Sequence, residues 1–194
     1  MRSIQTVLAI AAATTCLIPR ISQAELNELP TATLLPVIAG DPETRSTPFI
    51  AWFMDLAEVG YVEEEYSVAG EADIYSYTDD AEQSPEVLGD GAQIPYKTRI
   101  LVRRPENPRR FNGTVYYEVL NATAGWDGDP IWQSNYEYIT REGGIWVGMS
   151  TKPVTVDFLR DGWGAWPVVE RNASRYADLA MPEFGQVWDM LAQT

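Results

Sequence analysis

One stretch, residues 114–150, constrains the fold more than any other. TVYYEVL (114–120) is an almost unbroken run of β-formers, the pattern of a strand buried on both faces. NATAGWDGDP (121–130) follows as a loop of small residues. Residues 132–142 suit a helix, and Gly143-Gly144 provides its C-terminal stop. IWVGMS (145–150) is a second short buried strand. Strand, loop, helix, glycine, strand is a βαβ unit, and a right-handed crossover makes its two strands parallel.

Around this unit the chain supplies further strands. YKTRILVR (96–103) alternates polar and apolar residues, as a strand with one wet face does. Pro105, Pro108 and Asn112-Gly113 break the chain into a turn over 104–113. YVEEEYSVA (61–69) favours a strand although Glu63-Glu64-Glu65 interrupts its alternation, and residues 73–77 can continue a sheet. Residues 79–92 read as an acidic loop, 49–56 as an apolar patch without a clear state, and 25–56 as an extended N-terminal segment. Beyond 151 the chain reads as irregular, with Pro153, Gly162, Gly164 and Pro167. At 181–194 a helical pattern resumes, with Phe184, Val187, Trp188 and Leu191 on one face. The expected class is α/β, a mixed sheet with N-terminal antiparallel strands and a parallel βαβ unit.

Charge and missing residue types limit the chemistry. A formal charge of −14 argues against nucleic acid or an anionic membrane as partner. Residues 1–24 read as a cleavable signal peptide: Arg2, a short apolar run over 7–18, then Ser22-Gln23-Ala24 with small residues at −3 and −1. That run is too short for a stable membrane anchor. A secreted or periplasmic location is therefore expected. Cys16, the only cysteine, lies in this leader without the usual lipobox neighbours. The rest of the chain thus has neither a disulfide nor a thiol nucleophile. The chain contains no histidine. It cannot assemble a Ser-His-Asp triad by itself, nor a His-ligated zinc site. No cofactor and no metal are implied, and the oligomeric state stays open.

YVEEEY (61–66), PYKTRILVRRP (95–105), RFNGTVYYEVLNATAGWD (110–127), REGGIWVGMS (141–150) and SRYADL (174–179) resemble the family of alpha/beta hydrolase domain proteins. The resemblance implies an open, mostly parallel sheet flanked by helices and a serine hydrolase acting on a small ester or acyl substrate. Members of this fold carry the nucleophile on a G-x-S-x-G elbow. GMS (148–150) and NAS (172–174) lack the second glycine. The expectation is the N-terminal part of such a domain, over 57–194, without nucleophile or catalytic histidine, the isolated chain being inactive.

The resemblance also points to a site. In this fold the loop after the first crossover strand donates a backbone N–H to the oxyanion. Asn121, Ala122, Thr123 and Gly125, with Ala124, are small enough for a substrate carbonyl to approach the main chain. The alternative is an ordinary strand-to-helix turn. Asp127 and Asp129 form a D-x-D pair, too few oxygens for calcium, and read better as acids near a helix start. Glu63–Glu65 and Asp79-Asp80 read as solvated surface rather than a glycosidase pair. Trp126, Trp132, Trp146, Trp163 and Trp166 suit a core, or a ligand-stacking platform if the protein is a non-catalytic secreted binding module with an aromatic-lined site. Asn112-Gly113-Thr114, Asn121-Ala122-Thr123 and Asn172-Ala173-Ser174 match the glycosylation pattern, which carries no meaning in a bacterial chain.

Overall fold

The computed structural model describes residues 32–35, 47–79, 82–87, 93–163, 166–167 and 175–194. The leader reading over 1–24, the acid Asp80 and the NAS sequence at 172–174 lie outside them.

Five strands form the main sheet in the order β1-β2-β5-β7-β6. These are β1 (Thr33–Leu35), β2 (Tyr61–Ala72), β5 (Ile94–Pro105), β6 (Val115–Val119) and β7 (Ile145–Met149). β1, β2, β5 and β7 pair antiparallel in sequence, and β6 pairs parallel to β7 from Val115↔Ile145 to Val119↔Met149. Helix α1 (Pro130–Glu142) makes the crossover between β6 and β7. Gly143 closes it at φ +81° and donates its N–H to Ile139. The parallel pair that the βαβ pattern requires is therefore present, beside the expected antiparallel strands.

The sheet has two covered faces. On one, α1 packs Trp132 and Ile139 against Tyr61, Leu101, Leu120 and Trp146. On the other, helix α2 (Pro153–Asp161) and helix α3 (Val187–Gln193) bury Val156, Leu159, Val187 and Met190 against Val68, Ile100 and Met149. Glu118 on β6 turns inward. Its carboxylate accepts the N–H of Ile131 at 2.9 Å, that of Trp132 at 3.2 Å and the indole N–H of Trp146 at 2.8 Å. Charge from the sheet thus satisfies the open donors of the helix start.

Several expectations are corrected. β6 is not a buried strand: it forms the sheet edge, and Val115, Tyr117 and Val119 are 52%, 40% and 42% exposed on one face. β-formers are needed there for pairing, but among the described residues only β7 stands beside them. The acidic 79–92 stretch contains β4 (Glu82–Val87), which pairs with β3 (Tyr75–Asp79) in a separate hairpin. The proline-containing segment after 151 is helical as α2, because Pro153 occupies a first-turn position that needs no N–H. Gly162–Trp163 and Trp166–Pro167 then form the short antiparallel pair β8 and β9.

The terminal helix buries only part of the face expected, with Val187 and Leu191 packed on the core. Phe184 and Trp188 are exposed, while Gly185, Gln186, Val187 and Met190 are buried. The helix opens with a 3-10 turn over Phe184–Gln186, whose tighter winding shifts the phase of the residues that follow. Finally, the N-terminal extended segment contributes β1 to the sheet, and a 3-10 turn (Leu56–Val59) leads into β2.

Candidate active site

The face of β5 read as wet is buried. Arg99 and Arg103 are four residues apart on one strand, so both point to the α1 side of the sheet. Each is essentially fully buried. Arg99 donates through Nη1 to Glu65 at 2.7 Å and to the Phe49 carbonyl at 2.9 Å. Its Nη2 donates to Asp127 at 2.8 Å, and its Nε to the Ser150 hydroxyl at 3.2 Å. Arg103 donates to Glu63 at 2.7 Å, to Asp129 at 2.5 Å and to the Ile50 carbonyl at 2.9 Å. Its guanidinium lies over the rings of Trp146 and Trp132, 4.4 and 4.8 Å from their centroids. Arg175 adds a further ion pair to Glu65.

Two parallel Glu–Arg–Asp relays therefore run from β2 through β5 to the loop after β6. Burial opposes the charge on Arg99. The oxygen of Tyr176 and the carboxylates of Asp127 and Glu65 more than offset it, and its pKa is held above the ordinary value. The Tyr176 hydroxyl donates to Glu65 at 2.8 Å, and burial is the main reason its pKa is pushed up to about 12. The carbonyls that Arg99 and Arg103 hold belong to a tight bend in which Ile50 adopts φ +59°, a strained conformation for a β-branched residue.

The relays fix the loop that the resemblance marked out. Loop 121–129 starts at the carboxyl end of β6 and is closed at its base by reciprocal bonds between Asn121 and Gly128. Asp127 and Asp129 pin its far side to the sheet. The Ser150 hydroxyl, just past the carboxyl end of β7, donates to Asp127 at 2.5 Å. Ligands in open α/β sheets bind at these carboxyl ends.

Within the loop, most candidate donors are already used. The Asn121 N–H goes to Gly128, the Thr123 N–H to the Asn121 side chain at 2.8 Å, and the Gly125 N–H to Ala122 at 3.0 Å. Gly125 sits at φ +85° with open space where a Cβ would stand, so it serves the turn. Among the described residues, the N–H groups of Ala122 and Ala124 have no partner.

The other candidates fall as follows. Asp127 and Asp129 are neither calcium ligands nor simple helix-start acids; they are buried arginine partners. Asp129 precedes α1 but makes no side-chain cap bond, and Glu118 takes that role. Glu63, Glu64 and Glu65 are not a solvated run: Glu65 is buried, and each pairs with an arginine. Trp132 and Trp146 are core residues, and Trp126 lies beside Phe158. Gly148 makes room for the Trp146 indole, since a Cβ there would stand 2.3 Å from the ring. Ser150 is fully buried, which rules it out as a reachable nucleophile. No group of three metal-ligating side chains occurs among the described residues, and no helix among them is long and apolar enough to cross a membrane.

Sequence reading missed Arg99, Arg103 and Arg175. The available signal was Glu63 and Glu65, alternate residues on a strand that pairs antiparallel with the one carrying both arginines.

No curated protein and no solved structure matches the chain. The family described as alpha/beta hydrolase domain matches residues 33–194, from the first strand of the sheet to the last helix. The parallel crossover, its position beside antiparallel strands and this match agree: the chain belongs to the alpha/beta hydrolase domain family.

Proposed function

We propose that this chain supplies the sheet, first crossover and oxyanion loop of a serine hydrolase acting on an ester or related acyl bond. The nucleophile and the histidine come from residues outside the chain, since it contains no histidine and its Ser150 is inaccessible. The supporting observation is the clamped loop. Its acids are tied down by Arg99 and Arg103, while the main-chain N–H groups of Ala122 and Ala124 have no partner among the described residues.

On this reading a serine oxygen attacks the acyl carbon, the alcohol leaves, and water later cleaves the acyl-enzyme. The Ala122 N–H donates to the oxyanion in both steps, in place of the Asn121, Thr123 and Gly125 groups that the loop itself consumes. The exposed edge and face of β6 would take the strand that carries the nucleophile. Export through residues 1–24 belongs to the same proposal and is supported by the leader pattern.

The purified 194-residue chain is expected to give no fluorophosphonate labelling and no sustained hydrolysis of p-nitrophenyl acetate. The natural protein, isolated from its source and labelled, should carry the probe on a serine outside 33–194. Ala122→Pro in that protein should lower kcat about 10²-fold, the cost of one oxyanion donor. Labelling of a serine within 33–194, or steady turnover by the chain alone, overturns the proposal.

A further inference from the structure

Asn107, Asn112 and Asn121 make the same local turn. In each, the side-chain Oδ1 accepts the main-chain N–H two residues on: Arg109 at 3.0 Å, Thr114 at 2.8 Å and Thr123 at 2.8 Å. All three asparagines are exposed. The hydrogen bond folds the carboxamide back over the main chain of the residue that follows. That residue then decides what chemistry the side chain can undergo. It is Pro108 after Asn107, Gly113 after Asn112 and Ala122 after Asn121.

Asparagine is thermally labile, because the next main-chain nitrogen can attack its side-chain carbon. Pro108 has no N–H to lose, which closes that route at Asn107. Ala122 keeps its N–H, but its Cβ crowds the ring as it closes. Gly113 has the N–H and no Cβ. It is exposed at φ +90°, and even an added Cβ would meet nothing there. Its main chain therefore has both the space and the freedom to turn onto the carboxamide.

We infer that Asn112 is a self-modification site that reacts in the native fold. The Gly113 nitrogen gives its proton to solvent and bonds to Asn112 Cγ. The Cγ–Nδ2 bond breaks, and the side-chain nitrogen takes up a proton and leaves as ammonia. The Thr114 N–H, already on Oδ1, supports the negative charge that builds there as the carbon becomes tetrahedral. Water then opens the cyclic imide at either carbonyl and leaves aspartate or isoaspartate at position 112. The isoaspartate form adds a carbon to the main chain. Its neighbourhood is closely tied: the Asn112 N–H donates to the Gly143 carbonyl at 3.1 Å, and the Thr114 carbonyl accepts the Ile145 N–H at 2.9 Å. A longer span between 112 and 114 strains one of these bonds, at the entry of β6 and β7. The reaction needs only water, so its failure leaves the hydrolase reading intact, and failure of fluorophosphonate labelling leaves this site intact.

The test incubates the purified chain at mildly alkaline pH and maps its peptides by mass spectrometry, with isoaspartate identified by electron-transfer fragmentation. Conversion at 112 should exceed that at 121 by about tenfold or more, with no isoaspartate at 107. Gly113→Ala should slow conversion about tenfold, and Asn112→Gln should abolish it in a folded chain. The rate should stay flat through urea concentrations below the unfolding transition. The isoaspartate fraction, separated by ion exchange, should melt about 2–4 °C lower, the worth of one hydrogen bond. Asn112→Asp, which changes charge alone, should melt with the parent. No conversion at 112, or conversion equal to that at 121, would overturn the assignment. A rate that climbs with urea would overturn reaction from the native fold. An isoaspartate fraction as stable as the parent would overturn the strain at the β6 entry.

Discussion

Asp127→Asn removes one charge from the inner relay and nothing else of comparable size. The carboxylate has no exposed surface, and Arg99 is only 2% exposed through its side chain. Breaking a buried pair costs about 3–5 kcal/mol, and here Arg99 keeps its second carboxylate, Glu65. Asn keeps one acceptor for the guanidinium, which places the expected loss near the lower end, about 3 kcal/mol. In a domain of this size, that corresponds to a melting temperature about 6–12 °C lower. With a urea slope of about 2 kcal/mol/M, the midpoint should fall by about 1.5 M. Urea unfolding at low protein concentration, followed by tryptophan fluorescence, measures this. Arg141→Ala serves as the control, because the Arg141–Glu142 pair is exposed and should contribute nothing measurable. Arg99→Met combined with Asp127→Asn should cost less than the two singles added, by about 2 kcal/mol. A shift in Asp127→Asn no larger than the control's, or strict additivity in the double variant, would refute the clamp.

Three further outcomes follow from the same geometry. Tyr96 and Tyr176 are both pushed up to about 12 by burial, so the folded chain keeps protons that the unfolded chain releases near pH 10. Stability should hold below pH 10 and fall between 10 and 12, by up to about 1.4 kcal/mol per pH unit for each group. Tyr176→Phe should remove one group's share of that slope in a pH series of urea midpoints. Gly143→Ala should destabilise far more than Gly113→Ala: a Cβ at 143 would stand 2.1 Å from the Arg110 carbonyl, whereas at 113 it meets nothing. Thermal melts of the two variants decide this, and equal losses would contradict the packing. Val119→Lys puts a charge on the open β6 strand and should suppress concentration-dependent association in light scattering.

Four of the five strands of the main sheet were legible because their patterns are local; β1 was not, lying in a segment read as merely extended. Tyr61–Ala72, Ile94–Pro105 and the crossover 115–149 follow from β-formers, breakers and a Gly-Gly stop. What escaped depends on neighbours that a linear pattern does not name. Arg99 and Arg103 look like a wet face because arginine is ordinarily solvated. Their burial requires Glu63, Glu65, Asp127 and Asp129, brought together only by pairing of β2 with β5 and by the fold of the loop. Val115, Tyr117 and Val119 look like core because the sequence does not say which strands flank them. The site loop was found by analogy. Its free donors, Ala122 and Ala124, emerged only once turn bonds had taken the N–H groups of Asn121, Thr123 and Gly125.

Glu118 gathers the start of α1 and the indole of β7 onto one carboxylate of β6. Strand, helix and returning strand are thereby riveted at a single joint, and the segment spanning it has both feet on the same rigid plate. Only the short arch over 122–126 stands clear of that joint, closed at its base by the Asn121–Gly128 bonds. A substitution on the arch can therefore alter its own main chain while the carboxylate joint keeps strand, helix and returning strand in place.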